Sequence, residues 1–128
     1  MATTVLIVDD DLEDLDFMKE IVGEIDPDIK CIAIEYPEEV IRITSEALIP
    51  PNFMFIDINM PKMTGDLVLK EIRKNKKFDG TIITMLSTTI PTSLEQILIE
   101  CGANYAVKKP SKVDEFREVL TKILKANA

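Results

Sequence analysis

Short apolar runs alternate along this chain with longer segments in which apolar residues recur at helical spacing. The first run, Val5–Val8, has the length and composition of a buried strand, and in the segment after it Leu15, Met18, Val22 and Ile25 recur with the period of a helix. Read in this way, the predicted strands cover 5–8, 31–34, 53–56, 81–86 and 104–107, and the predicted helices cover 15–25, 37–43, 68–72, 92–98 and 113–124.

The strict alternation of strand and helix indicates a parallel sheet. Parallel strands need crossover connections, which helices supply, and the crossovers cover both faces of the sheet. We therefore predict an α/β, doubly wound fold of five parallel strands and five helices, forming a single domain over residues 1–128 with no output domain after it. Ligands bind such sheets beyond the carboxyl ends of the strands. The residues just after each apolar run are therefore the candidate functional residues.

The composition argues against several classes of function. A net charge of −8, without a basic face carrying aromatic residues, argues against binding to nucleic acid or anionic lipid. No apolar stretch is long enough to span a membrane and the N-terminus lacks the features of a signal peptide, so we expect a cytoplasmic location. Histidine is absent, which removes the commonest general base and zinc ligand. Any chemistry must use carboxylates, hydroxyls and lysine.

Polar side chains that could bind a ligand or take part in a reaction follow the ends of four predicted strands. They are Asp9 and Asp10 after the first strand, Asp57 after the third, Ser87 and Thr88 after the fourth, and Lys108 and Lys109 after the fifth. Each has a simpler explanation by itself, because Asp caps helices, Asp and Ser favour turns, and Lys is usually solvated. On a parallel sheet, however, they would all meet at one edge.

Three carboxylates at that edge, those of Asp9, Asp10 and Asp57, would repel each other unless a cation binds or a pKa rises. Ligation by oxygen alone, without His or Cys, points to Mg²⁺. A lysine and a hydroxyl beside such an ion suit a phosphoryl group, whose oxygens share their charge among the metal, the ammonium and the O–H donor. Asp57 is then a candidate nucleophile of the kind that forms aspartyl phosphates.

Four stretches of the sequence closely resemble the receiver domain of two-component response regulators, and together they extend over nearly the whole chain. They are "VLIVDDD" at 5–11, "FIDINMPKMTG" at 55–65, "TMLST" at 84–88 and "GANYAVKKP" at 102–110. The resemblance implies a flavodoxin-like, three-layer α/β/α fold. It also implies a phosphoacceptor switch that takes part in catalysing its own phosphorylation and dephosphorylation, and is not otherwise an enzyme.

The resemblance further assigns roles to individual residues. Asp57 is expected to accept the phosphoryl group. Asp10, Asp57 and the backbone carbonyl of Asn59 are expected to coordinate Mg²⁺, with Asp9 acting largely through a bound water. Ser87 and Lys109 match the positions that contact the phosphoryl oxygens, and the place of Lys109 directly before Pro110 favours it over Lys108.

The residues expected to report phosphorylation depart from the family pattern. Ala106 stands where the family usually has an aromatic residue whose rotamer follows phosphorylation, and the adjacent Tyr105 would point to the opposite face of the strand. Thr88 is bulkier than the usual Ala or Gly after the switch hydroxyl of Ser87. Thr89 aligns with a position that influences dephosphorylation.

The resemblance also implies the partners. A sensor histidine kinase or a histidine phosphotransfer protein would supply the phosphoryl group, and the helix after the first strand is its expected contact. A downstream protein, not identified by the sequence, would read the surface formed by about 92–126. The protein is expected to be a monomer or a phosphorylation-dependent dimer.

Two alternatives to a phosphorylated receiver stay open. One is a degenerate receiver that keeps the fold as an unphosphorylated interaction module. The other is a phosphatase of the haloacid dehalogenase type, which also uses a strand-end Asp with Mg²⁺. That class has a second acidic residue two positions after the nucleophile, where this chain has Asn59.

Overall fold

Five parallel strands form one sheet in the order β2-β1-β3-β4-β5, with helices on both faces. The computed structural model describes residues 3–46, 49–88 and 92–127. The strands are β1 (Thr4–Val8), β2 (Lys30–Ile34), β3 (Phe53–Asp57), β4 (Ile82–Ser87) and β5 (Tyr105–Lys108). The helices are α1 (Leu12–Ile25), α2 (Pro37–Glu46), α3 (Gly65–Arg73), α4 (Thr92–Glu100) and α5 (Val113–Ala126), with a short 3-10 helix at Lys76–Phe78.

The predicted doubly wound α/β fold is confirmed, with small shifts in the strand boundaries. β4 and β5 each begin and end one residue later than predicted, and Asp57 is the last residue of β3 instead of the first residue after it. The 3-10 helix was not predicted, because its three residues are too few to show a periodic pattern. The shifts leave the candidate functional residues at the carboxyl ends of the strands.

Two helix termini follow from single residues. The Asp11 side chain caps α1, where it accepts hydrogen bonds from the backbone N–H of Glu13 at 3.0 Å and of Asp14 at 3.5 Å. Gly102 follows the end of α4 with a φ of 113°, a conformation that side-chain-bearing residues rarely adopt. Both residue types favour these positions, because Asp is a common N-cap and Gly is common just after the end of a helix.

The sheet separates two apolar clusters. Along β1, Val5 and Ile7 face a cluster that includes buried residues of α1 and α5, whereas Leu6 and Val8 face one that includes residues of α2, α3 and α4. Alternate side chains of a strand point to opposite faces, so a run of apolar residues serves both clusters. This arrangement buries β1 and β3 almost completely and fixes the positions of their carboxyl ends.

Arg73, the last residue of α3, connects several segments at the amino edge of the sheet. Its guanidinium donates to the carbonyl of Gly102 at 2.8 Å, to the carbonyl of Thr81 and the side-chain oxygen of Asn104, each at 3.0 Å, and to the carbonyl of Phe78. A basic residue at this position suits the negative end of the α3 dipole. The structure shows in addition that it joins α3 to the starts of β4 and β5.

Thr84, in the middle of β4, is fully buried, and its hydroxyl has no hydrogen-bond partner among the residues that the structure describes. An unpaired buried hydroxyl destabilises the folded state, and valine has the same shape without the polar atom. We expect Thr84→Val to raise the free energy of unfolding by about 1 kcal/mol, measured by urea denaturation. The matched control is Thr81→Val, because the buried Thr81 hydroxyl donates to the carbonyl of Pro51 at 2.8 Å. That variant should be less stable, and a gain from both substitutions would contradict the explanation.

Among the helices of the described segments, none is both long and apolar enough to cross a membrane.

Candidate functional site

The candidate site lies where the strand order reverses. The chain passes from β1 outward to β2 and then returns to place β3 on the other side of β1, so a crevice opens beyond the carboxyl ends of β1 and β3. Asp9 and Asp10 follow β1 directly, and Asp57 ends β3. Carboxylate oxygens of these three residues all lie within 4.8 Å of one another. The predicted acidic cluster is therefore present in the structure.

The three carboxylates differ in their exposure to solvent. Asp9 and Asp57 are buried, with 1% and 6% of their surface accessible, whereas Asp10 is exposed. Oδ1 of Asp9 accepts a hydrogen bond from the N–H of Asp11 at 3.0 Å, and Oδ1 of Asp57 accepts one from the N–H of Asn59 at 3.2 Å. These bonds fix the orientation of each side chain, because a carboxylate held by the backbone cannot turn freely.

Burial and mutual repulsion make this site unfavourable for negative charge. Burial, and then the charge of Asp9, raise the pKa of Asp57 to about 6, although Lys109 and the N–H of Asn59 act in the opposite direction. Burial also raises the pKa of Asp9, opposed mainly by its hydrogen bond to Lys109. A cation bound among these oxygens would remove the penalty.

The raised pKa of Asp57 predicts how stability depends on pH in the absence of metal. Its pKa is about 6 in the folded protein and 3.8 in the reference state, so the folded state binds more protons than the unfolded state between these values. The stabilising contribution is present below pH 3.8 and is lost as the pH rises through about 6. We expect the free energy of unfolding in EDTA, relative to that of Asp57→Asn, to fall over this range when measured by urea denaturation. A difference between the two proteins that does not change with pH would contradict the prediction.

Lys109 reaches this cluster from the segment after β5. Its ammonium lies 2.6 Å from Oδ2 of Asp9 and 2.7 Å from Oδ2 of Asp14, and only 10% of the side chain is exposed. Burial alone would lower the pKa of Lys109, but the hydrogen bonds to Asp14 and Asp9 and the charges of Asp9 and Asp57 outweigh it and raise that pKa. The lysine is therefore held in its charged form. Lys108, by contrast, is exposed at the end of β5.

Ser87, the last residue of β4, completes the site on the side opposite α1. It is 1% exposed, and its hydroxyl oxygen accepts a hydrogen bond from the side-chain amide of Asn59 at 2.9 Å. The carbonyl of Ser87 accepts a hydrogen bond from the N–H of Lys109 at 2.6 Å, so the backbone of β4 is joined to the residue that carries the ammonium.

The other predicted switch residues lie around this centre. Thr88 is exposed, and Ala106 is partly buried against the cluster under α2, α3 and α4. Tyr105 packs against the opposite cluster, as predicted from the alternation of the strand, and its hydroxyl oxygen accepts a hydrogen bond from Asn127 at 3.0 Å. Thr89 lies outside the described residues.

The loop after β3 approaches the start of α3 too closely for a side chain at Gly65. A Cβ atom there would lie 2.4 Å from the carbonyl oxygen of Asp57 and 2.8 Å from Cα of Ile58. The N–H of Gly65 also donates to the carbonyl of Ile58 at 3.0 Å. A glycine at this position is therefore needed to hold Asp57 and Asn59 in place.

Two contacts of the site were missed from the sequence. No role was predicted for Asp14, although it stands about one helical turn after the N-cap Asp11, a spacing that turns it back toward the site. Asn59 was expected to act through its backbone carbonyl, whereas its side chain binds Ser87. Neither contact could be found without knowing how close β3 lies to β4 and α1 to Lys109.

The oxygen atoms of the acidic cluster fit a hard divalent cation. Three carboxylates converge within 4.8 Å, and no nitrogen or sulfur ligand belongs to the group among the described residues. Mg²⁺ prefers a small number of carboxylates and keeps several of its waters. The exposed Asp10 leaves one side of the cluster open to such waters.

The fold and the site together define a class of protein. It is a doubly wound α/β domain whose carboxyl edge combines an acidic cluster suited to a metal ion with a buried ammonium and a hydroxyl, the groups that a phosphoryl group requires. The response regulator receiver domain family model matches residues 5–121. The chain therefore belongs to the receiver domain family of two-component signalling and not to the phosphatases considered above.

The individual proteins that resemble this chain share only a modest part of its sequence. Stress response regulator protein 1 of Candida albicans is 27% identical over 82% of the chain, and the osmosensing histidine protein kinase SLN1 of Saccharomyces cerevisiae is 26% identical over 98% of it. The matched region is 36% of the first relative and 10% of the second. The phosphorylated cyanobacterial phytochrome response regulator RcpA has the same fold, with a TM-score of 0.89, 17% identity and coverage of 99% of this chain and 94% of that one.

Proposed function

We propose that this chain is a phosphoacceptor switch in which Asp57 receives a phosphoryl group from the phosphohistidine of a sensor histidine kinase or histidine phosphotransfer protein. An oxygen of Asp57 attacks phosphorus, the P–N bond of the donor breaks, and the imidazole leaves with the bonding electron pair. The observation that carries the proposal is the convergence of the Asp9, Asp10 and Asp57 carboxylates within 4.8 Å at the edge where Lys109 and Ser87 also lie.

Asp9, Asp10, Asp57 and the backbone carbonyl of Asn59 would hold Mg²⁺. The ion would balance the charge of the attacking carboxylate and of the phosphoryl oxygens. The raised pKa of Asp57 supports this role, because burial and the charge of Asp9 outweigh the opposing charge of Lys109 and leave negative charge that a cation would balance. Asp9 is already paired with Lys109, which suits a residue that acts on the metal through water.

Ser87 and Lys109 are proposed to contact the oxygens of the transferred group, since Ser87 ends β4, the strand beside β3, and the charge of Asp57 acts on the Lys109 ammonium. The Ser87 hydroxyl is bound to the Asn59 amide before phosphorylation and would turn toward the phosphoryl group afterwards. Ala106 leaves room for that movement without the rotation of an aromatic ring. Thr88 and Thr89, directly after Ser87, complete the proposed switch.

The donor is proposed to approach over α1. A groove of about 430 Å³ opens there, and its lining includes the aromatic residues Phe17 and Phe116 and the polar residues Asp14, Thr88 and Lys109. The downstream partner would bind the surface of α4, β5 and α5, where Ile97 and Ile99 are exposed. Within this proposal the chain is a monomer or a phosphorylation-dependent dimer, acts in the cytoplasm, and takes part in catalysing its own phosphorylation and dephosphorylation.

Incubation with acetyl phosphate, followed by intact-mass analysis, tests the proposal. The mass of one phosphoryl group should be added to the protein in Mg²⁺ but not in EDTA. Without a cation, the acidic cluster would repel the acetyl phosphate anion. A protein that gains no mass in Mg²⁺, and that also fails to bind beryllium fluoride, would instead be the unphosphorylated interaction module.

A further inference from the structure

The ammonium of Lys109 has two carboxylate partners, and only one of them belongs to the acidic cluster. Asp9 lies in the cluster, whereas Asp14 lies in the first turn of α1, outside the group of oxygens that could hold a metal ion. The two distances, 2.6 Å and 2.7 Å, are those of close charged hydrogen bonds. Asp14 therefore competes with a phosphoryl group on Asp57 for the Lys109 ammonium.

The position of the ammonium shows the direction of this competition. In the described part of the chain, Lys109 forms ion pairs within 4.0 Å with Asp9 and Asp14 but none with Asp57. Asp57 affects Lys109 only through its charge, without a hydrogen bond. Asp14 thus draws the ammonium toward α1 and away from the atom that would carry the phosphoryl group.

The two partners differ in how easily they can release Lys109. The Asp9 side chain is 1% exposed, so removal of the ammonium would leave a buried charge without its partner. The Asp14 side chain is 38% exposed, so water can replace the lost hydrogen bond at small cost. When the ammonium turns toward a new anion on Asp57, Asp14 is the partner that gives it up.

We propose that Asp14 is a positioning residue that holds Lys109 away from Asp57 in the unphosphorylated protein and releases it when Asp57 is phosphorylated. The proposal rests on the proposed function of Asp57 and Lys109. Asp14 stabilises the resting state, so it weakens the affinity of the site for a phosphoryl group. Its replacement by a neutral residue strengthens that affinity.

The test is the dissociation constant for beryllium fluoride in saturating Mg²⁺, measured by titration calorimetry on the full chain. We expect Asp14→Asn and Asp14→Ala each to bind about threefold to fivefold more tightly than the wild type, the upper part of the range for an exposed charged pair. Two substitutions are used so that a failure of one to fold leaves the other as the test. Asp14→Glu, which keeps the charge and the acceptor, should bind within about twofold of the wild type.

Glu13→Gln is the matched control, because Glu13 is an exposed acid in the same turn and its loss changes the net charge equally. It should leave the dissociation constant unchanged. Equal tightening by Glu13→Gln and Asp14→Asn would assign the effect to general charge and overturn the proposal, as would unchanged or weaker binding by both neutral Asp14 variants or tight binding by Asp14→Glu. If the wild type and all variants fail to bind, the proposed function fails, and with it the role of Asp14.

Discussion

Asp57→Asn is expected to gain no phosphoryl group from acetyl phosphate in the presence of Mg²⁺. An amide is a very poor nucleophile compared with a carboxylate, and the exchange also replaces one of the three clustered carboxylates by a neutral group. Intact-mass analysis at matched times should show full conversion of the wild type under conditions in which the variant keeps its unmodified mass. A phosphoryl group of equal yield on the variant would mean that another residue is the acceptor.

The same variant should be more stable than the wild type without metal. Because burial and Asp9 raise the pKa of Asp57 to about 6, the buried charge destabilises the folded protein at pH 7, on the order of 1 to 3 kcal/mol. Urea denaturation in EDTA measures this gain, and a loss of stability would contradict it.

Asp11→Asn is the matched control for the phosphorylation experiment, since Asn also caps helices and the residue lies beside the cluster without belonging to it. It should be phosphorylated like the wild type.

Arg73→Ala is expected to have the largest effect on stability. The guanidinium donates to four acceptors in two segments, 78–81 before β4 and 102–104 before β5, and three of these are backbone carbonyls that would lose a charged donor. We expect the free energy of unfolding to fall by about 3 kcal/mol or more, and the midpoint of thermal unfolding to fall by roughly 10 °C. Arg73→Lys should recover only part of this loss, because a single ammonium cannot reach all four acceptors that the planar, fork-shaped guanidinium reaches.

Arg42→Ala is the matched control for Arg73. Arg42 also lies on a helix, but it is exposed, and its partners are the exposed carboxylates of Glu39 and Glu46 on the same helix. Exposed pairs of this kind contribute about 0.3 to 0.5 kcal/mol each. A loss as large for Arg42→Ala as for Arg73→Ala would show that helix propensity, and not the connection between segments, determines the effect.

The fold could be predicted in most respects because its local patterns agree with one another. The apolar runs are short and dense, Pro37 and Asp11 mark helix starts, and Gly102 marks a helix end, so each signal supports the same alternation. Several strand boundaries moved, those of β4 and β5 at both ends, and they depend on which residues pair across the sheet. A single sequence does not contain that register.

The candidate site could be predicted up to its long-range contacts. Asp9, Asp10 and Asp57 were placed together by topology alone, since all three end parallel strands. The contact of Lys109 with Asp14 spans 95 residues, and that of Asn59 with Ser87 spans 28. Contacts of this kind depend on side-chain reach across neighbouring elements, which neither spacing nor motif resemblance specifies.

The two edges of the sheet can change independently. The side chains proposed to carry the chemistry lie at the carboxyl ends of the strands, and Arg73 binds residues near the amino ends of β4 and β5, so the length of a strand, on the order of 15 Å, separates them. Substitutions that far apart usually act additively. Asp57→Asn should therefore recover part of the stability lost in Arg73→Ala. Related domains can then vary the residues of the phosphoryl site at one end of the sheet while the hydrogen bonds of Arg73 at the other end stabilise the fold.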